Sequence, residues 1–353
     1  MRLLIAPDSF GDTLTAVEAA DAIARGWLAA RPDDEVVRAP QSDGGPGFVS
    51  VLAGSFGTVH SAEVTGPLGA AVTAQWLLDD RVRKRTVAYV EGAQACGLHQ
   101  LGGRPTPRTA TAADTFGVGQ LVDAALRAGA SSVVVGLGGS ATTDGGRGLI
   151  DALGGPEHAV ARCRGIDVVA ASDVENPLLG ASGAATVFGP QKGADTETVG
   201  ILEERMTRWN RVLAQMAGRD VSAEHGAGAA GGLGAALLAL GGHRVSGASV
   251  VAGATDRDAQ IATADLLITG EGRFDSQTLR GKVVSALNAT ARAASVPTMV
   301  VAGQVTLGAR EIAEADIAAA YSIVDHAGSI QLAMDDAGNQ LTQMVRGIAA
   351  GWV

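Results

Sequence analysis

In this chain glycine falls where short apolar runs stop, and that placement constrains the fold more than any other feature. SSVVV ends in GLGGSATTDGG at 136 to 146, LLIT ends in GEGRFDSQTLRGK by 282, and residues 171 to 194 read ASDVENPLLGASGAATVFGPQKGA. A turn from strand to helix demands positive φ or close backbone approach, which glycine supplies without steric penalty. With 49 glycines against 11 prolines in 353 residues and no repeat period, the chain is neither collagenous nor of low complexity. The pattern predicts an α/β protein, and 3% aromatics leave Ala, Val, Leu and Ile to build its core.

The two ends share one style. Residues 2 to 6 form an apolar run, 15 to 27 carry helical spacing and 35 to 39 make a second strand, a βαβ opening. Toward the C-terminus, 298 to 302 and 318 to 324 read as strands, with helices over 309 to 315 and 329 to 351. A lone βαβ unit cannot bury its faces, so residues 1–63 and 284–353 are expected to form one discontinuous domain. Residues 64–283 are then an insert. It opens on three β-rich stretches, 58 to 64, 71 to 78 and 86 to 90, separated by TGPLGA and DDRVRK, an antiparallel meander. After it come helices at 115 to 128, 149 to 153, 199 to 216 and 229 to 240, and strands at 132 to 135, 168 to 172 and 266 to 269. Two lobes of this kind predict a small-molecule site in a cleft.

Several functions are excluded or disfavoured. A formal charge of −10 opposes a nucleic-acid groove, and Arg81 to Arg85 is too short a basic run to alter that. No apolar stretch reaches the length of a membrane span, and MRLLIAPDS is too short for a signal peptide, so a soluble cytoplasmic protein is expected. Cys96 and Cys163 are too few for a disulfide scaffold, and the six histidines show no ligand spacing for zinc. Gly136, Gly138 and Ala141 imitate a dinucleotide fingerprint, but the acid expected about twenty positions on is missing. Neither a Walker A loop nor a G-x-S-x-G elbow occurs.

What remains is chemistry at strand ends. Asp8 and Ser9 follow the first strand, Asp43 with Gly44 and Gly45 the second, Asp173 and Asn176 another, and Glu271, Arg273 and Asp275 the run at 266 to 269. Ligands of open α/β sheets bind at such ends. A single acid there is commonly a helix cap; four sets joined to glycines are poorly explained by capping alone. The chain has three lysines against twenty-four arginines, and both Lys192 and Lys282 sit beside a glycine in these segments, where a compact ammonium suits a phosphate. Exposed charged loops are the competing explanation for Lys192, Arg273, Arg280 and Lys282.

These blocks, together with LLIAPDSF at the N-terminus and GAGAAGGLGAALLAL at 226 to 240, resemble the bacterial glycerate kinase family, the type that phosphorylates D-glycerate with ATP. The resemblance runs nearly end to end. It implies two mixed α/β lobes, one flavodoxin-like (Rossmann-like) and discontinuous and one an inserted glycerate-kinase-type domain, with the active site in the cleft. It implies ATP and Mg²⁺, with transfer to the 2-hydroxyl favoured. Gly138, Gly139, Ser140, Gly189, Gln191, Glu271 and Gly272 would bind the nucleotide, Lys192 its phosphates, and Asp43 and Asp173 the metal. Asp8, with those two acids, would orient the acceptor hydroxyl, and Arg273 would meet the acceptor carboxylate or the moving phosphoryl group. The partner is a small hydroxy acid, with no nucleic acid or membrane, and a homodimer is open. The chain departs from the family pattern at Gly11, where a lysine is usual, and at Pro46 and Phe48 in DGGPGF, where DGGEGT is usual; the stretch from Leu153 to Asp173 is also shorter. Those departures keep two alternatives in view: a kinase of another small hydroxy acid, and a non-catalytic nucleotide- or metabolite-binding member.

Overall fold

The computed structural model describes residues 1–82, 85–276, 278–280 and 283–352. Among these, eleven strands form two sheets: β1 Arg2–Ile5, β2 Glu35–Arg38, β3 Thr58–Thr65, β4 Ala71–Val82, β5 Arg85–Glu91, β6 Ser132–Gly136, β7 Asp167–Ala171, β8 His243–Val245, β9 Leu266–Phe274, β10 Thr298–Val305 and β11 Ala319–Ser322. The chain divides into two compact units, Met1–Ser42 with Val251–Val353, and Asp43–Val250.

The first unit holds a fully parallel sheet in the order β11-β10-β9-β1-β2. Counted within the unit, that order is 2-1-3-4-5 read from the β2 edge, the flavodoxin-like arrangement. Its central strands, RLLI, LLITG and TMVVA, are uncharged from their second residue and buried, as a sheet covered on both faces requires. One face packs Leu3, Ile5, Ile268 and Val301 against Ile23, Trp27, Leu341 and Val345 from the helices Ala16–Ala30 and Ala337–Gly351. These helices pack closely because position 26 lacks a Cβ, which would lie 2.4 Å from the Thr342 carbonyl oxygen. The helix Ala16–Ala30 starts at a capping box: Glu18 N–H donates to Thr15 Oγ1 at 3.2 Å, and Thr15 N–H donates to Glu18 Oε2 at 2.9 Å. The other face is filled by Phe274, Val284, Val300 and Ile317.

The second unit holds the sheet β3-β4-β5-β6-β7-β8. β3, β4 and β5 are antiparallel, as the meander at 58 to 90 predicts, and β5 then pairs parallel with β6, β6 with β7, and β7 with β8. The register brings the C-terminal residues Glu91, Gly136 and Ala171 side by side.

Three sequence expectations differ from this arrangement. Boundaries expected after residues 63 and 283 fall at 42 and 250. β9 hydrogen-bonds between β1 and β10 in the middle of the first sheet, while the helix Phe48–Ala53 packs on β4 and β5, with Phe48 edge-on to Tyr89 at 6.1 Å. The helix expected over 329 to 351 is two, Ile330–Asp335 and Ala337–Gly351, parted at Asp336, whose carboxylate accepts from the Asn339 and Gln340 amides at 2.8 and 3.1 Å. β9 also runs five residues past Thr269, so Glu271 and Arg273 lie inside a strand rather than after it, opposite Ala302 and Gln304 of β10. No described helix is long and apolar enough to cross a membrane.

Candidate active site

Three loops of the second unit meet at the C-terminal ends of β6 and β7. The Gly138 N–H donates to the Gly44 carbonyl oxygen at 3.1 Å, and the Leu137 N–H to that of Ala171 at 3.1 Å. Glycine is demanded here: Gly44 has φ +93°, and a Cβ on it would lie 2.7 Å from the Ala171 carbonyl oxygen. A Cβ on Gly138 would lie 2.4 Å from Gly45 Cα. The sequences DGGPG, GLGGS and ASD are thus one interlocked surface, which no single segment reveals.

Asp43 and Asp173 are carried on this surface, both exposed, on loops in backbone contact through Gly44 and Ala171. The Gly45 N–H donates to Asp43 Oδ1 at 2.9 Å. Two hard carboxylates on adjacent loops suit Mg²⁺, which takes one or two carboxylates and fills its remaining positions with water and phosphate oxygens. Among the described residues no three acids, histidines or cysteines cluster as a self-sufficient metal cage. Two such carboxylates would leave a bound Mg²⁺ open positions for water and phosphate oxygens.

Lys192 does not sit on an exposed charged loop, the competing explanation for it. It is 2% exposed, and its Nζ donates to Ser140 Oγ at 2.9 Å and to the Thr142 carbonyl oxygen at 2.6 Å. Burial holds its pKa down to about 8, against the upward pull of Cys96 and Asp144. Burial likewise pushes the Cys96 thiol up to about 12. Gly189 is buried too: its N–H donates to Ala185, and its carbonyl accepts from the Lys192 and Ala194 N–H groups, so it shapes the turn; Gln191 is exposed.

Two acids that sequence reading passed over anchor these loops. Asp144 is 8% exposed and accepts from Thr115 N–H at 3.0 Å, Thr115 Oγ1 at 2.7 Å, Gly146 N–H at 3.0 Å and Gly148 N–H at 3.0 Å. One carboxylate thereby caps the helix Arg147–Ala152 and fixes the entry to Phe116–Arg127. Glu91, buried at the end of β5, accepts from Val49 N–H at 3.1 Å, and burial raises its pKa. Sequence alone offered only the TTDGG spacing for Asp144. The segment 229 to 240 is a helix with a left-handed start: Ala230, Gly231 and Gly232 have φ of 50, 66 and 94°. The carbonyl of Gly231 accepts from Gly145 N–H at 3.0 Å, so this turn buttresses the same loop.

In the first unit, the strand order reverses between β1 and β9, and a ligand crevice is expected at such a switch point. Asp8 follows β1; its N–H donates to the Gly270 carbonyl oxygen at 2.8 Å, and its Oδ1 accepts from Ser9 N–H at 2.7 Å. Gly272 abuts the same turn, since a Cβ there would lie 3.0 Å from Gly11 N. Asp8, Glu271 and Gly272 therefore come together. Arg273 is exposed, with Nε 3.4 Å from Asp275 Oδ2. Asp275 and Thr278 bond each other's backbone N–H through their side chains, at 3.3 and 3.4 Å. Lys282, and Lys84 of the hairpin, lie outside the described residues.

Comparison with known proteins accounts for both units at once. The model of the glycerate kinase family matches residues 3–161 and 156–353. The chain belongs to the glycerate kinase family. It is 55% identical over 350 residues to an uncharacterized protein of Mycobacterium tuberculosis, covering 99% of this chain and 91% of that one. It is 35% identical to the glycerate 2-kinase of Escherichia coli, covering 99% and 97%. A solved structure from Salmonella typhimurium LT2, assigned as glycerate kinase 2, is similar with a TM-score of 0.77 at 34% identity, over 99% of this chain and 97% of that one. Family membership makes this protein an enzyme, and its mixed α/β architecture is that of the Salmonella structure.

Proposed function

We propose that the protein transfers the γ-phosphate of ATP to the 2-hydroxyl of D-glycerate, giving 2-phosphoglycerate and ADP. The observation that carries this reading is the end-to-end glycerate kinase match of a chain whose acids and glycine loops sit at the C-terminal ends of parallel strands. The 2-hydroxyl is favoured because a relative aligned over nearly its whole length is a glycerate 2-kinase.

In this reading the loop at Gly138, Gly139 and Ser140, with Gln191, receives the nucleotide phosphates, and Asp43 and Asp173 hold Mg²⁺. When bound, that ion would neutralise charge on the transferring phosphoryl group. The acceptor oxygen forms a bond to the γ-phosphorus, the bond from that phosphorus to the β,γ-bridging oxygen breaks, and the hydroxyl proton passes to a carboxylate, for which Asp8 is the candidate. Arg273 offers a guanidinium to the acceptor carboxylate. Glu271 and Gly272, next to Asp8, are the further nucleotide-binding candidates carried by the first unit.

A kinase of another small hydroxy acid is the second reading, and Gly11 favours it: a side chain that could carry a cation is absent at an exposed position in the Asp8 turn. Phe48 does not add to it, being fully buried against Tyr89. Purified protein is tested with ATP, Mg²⁺ and a panel of short hydroxy acids by ADP release, and product from D-glycerate is offered directly to enolase, which takes 2-phosphoglycerate and not the 3-isomer. Turnover with another acid but not glycerate selects the second reading. Nucleotide binding without turnover of any acid in the panel overturns the proposed substrate class.

A further inference from the structure

Lys192 is a cation buried beneath the glycine loop of the candidate site, with its ammonium bonded to that loop. Within 136 to 146, Gly138 and Gly139 are the residues with appreciable exposure, while 140 to 146 are buried. Lys192 reaches this buried part, through Ser140 Oγ and the Thr142 carbonyl oxygen. Other anchors surround it. Leu98 N–H donates to the Gly139 carbonyl oxygen at 3.0 Å, Ala141 N–H to that of Cys96 at 2.7 Å, and Asp144 fixes the far end through Thr115, Gly146 and Gly148. An ammonium is expensive to bury unless its donors are satisfied and a carboxylate is near, and here two donors are used and Asp144 supplies the field.

We propose that Lys192 is a positioning residue: it sets the Gly138–Ser140 loop from beneath, through the Ser140 hydroxyl and the Thr142 carbonyl, and does not itself contact the phosphates. The proposal rests on the kinase reading and deepens it by assigning phosphate contact to the loop. Lys192 then couples to Ser140 energetically. A lysine binding phosphate directly does so independently of that hydroxyl.

The test is a double-mutant cycle on the full chain with Lys192→Met, Ser140→Ala and the pair, each measured for KM of ATP, KM of D-glycerate, kcat and melting temperature. The expected result is a KM for ATP raised about tenfold in Lys192→Met with the KM for D-glycerate within about twofold, and little further loss on adding Ser140→Ala. Effects that multiply in the double variant overturn the proposal in favour of direct contact. Equal changes in both KM values with a lowered melting temperature overturn it in favour of a purely structural lysine. If Lys192→Met does not fold, Lys192→Arg, which keeps the charge and donors, takes its place in the cycle. Should wild-type protein show no turnover with glycerate, the kinase reading fails separately, and the same variants are titrated with ATP by calorimetry; a loss of ATP affinity that is additive between positions 192 and 140 again overturns the brace.

Discussion

The Lys192 ammonium donates to the Ser140 hydroxyl at 2.9 Å across fifty-two residues of sequence, inside a site where burial holds its pKa down to about 8. The titratable groups facing it are Asp144 and the Cys96 thiol, and the latter stays protonated because burial pushes it up to about 12. Activity should therefore fall as pH rises through about 8, when Lys192 loses the charge that holds the loop. Stability moves the opposite way. The folded pKa lies below the unfolded value of 10.5, so between the two the unfolded chain binds more protons, and this group's contribution to stability rises with pH across that window. pH profiles of kcat/KM and of melting temperature check both signs. Lys192→Met should lack the alkaline activity limb, and a limb that persists in that variant belongs to another group.

Gly44 and Gly69 separate backbone conformation from crowding. Their φ values are +93 and +89°, but a Cβ on Gly44 would lie 2.7 Å from the Ala171 carbonyl oxygen, whereas one on Gly69 meets nothing within 4 Å. Gly69→Ala should cost about 1 kcal/mol, the conformational penalty alone. Gly44→Ala should cost about 2 kcal/mol more and reduce activity, because either the loop carrying Asp43 or the end of β7 must move. Urea denaturation of the two variants measures the difference, and equal stability losses would mean that the loops yield freely.

What sequence made legible was whatever repeats locally. The βαβ opening, the meander at 58 to 90 and the glycine loops follow from period and turn chemistry, so one parallel sheet shared by the two chain ends, and Asp8, Asp43 and Asp173 after strands, could be read directly. The partners of buried polar groups could not. Asp144 pairs with Thr115 over 29 residues, and Glu91 with Val49 over 42, and neither spacing carries a periodic signal. For Lys192 the sequence offered a glycine-bordered loop suited to a phosphate, but not the burial of its side chain or its Ser140 and Thr142 partners. The placement of β9 was missed for a related reason. LLITGEGRF ends in polar residues that read as loop, and only the pairing with β10 keeps it extended to Phe274.

Asp43 and Asp173 should act on one ion. Asp173→Asn and Asp43→Asn should each raise the Mg²⁺ concentration needed for half-maximal activity, by about tenfold, since each removes one charge from a site with few protein ligands. Their backbones should persist, because Asp43 accepts from Gly45 N–H through an oxygen that asparagine retains. Mg²⁺ titrations at saturating ATP decide it. A lowered kcat with an unchanged Mg²⁺ requirement would assign the carboxylate to the acceptor hydroxyl instead, and activity undiminished by EDTA would remove the metal from the proposal.

Gly11 is where acceptor choice can be tested with one substitution. It is exposed, its φ is +58°, and a Cβ would meet no heavy atom within 4 Å, so a side chain has room there at a conformational cost of about 1 kcal/mol. The residue lies in the Asp8 turn against Gly272. If the lysine usual at this position in the family binds the acceptor carboxylate, Gly11→Lys should lower the KM for D-glycerate several-fold while kcat changes by less than about twofold, because a charge contact far from the reacting oxygen stabilises ground state and transition state alike. Gly11→Met controls for bulk and should leave the KM unchanged. A kinase selected for a different hydroxy acid predicts that the same substitution weakens that acid while improving glycerate. Steady-state kinetics with both acids distinguish the two. Strong wild-type turnover on glycerate, with no KM change in Gly11→Lys, would show that the acceptor carboxylate is held elsewhere, with the exposed Arg273 guanidinium the next position to substitute.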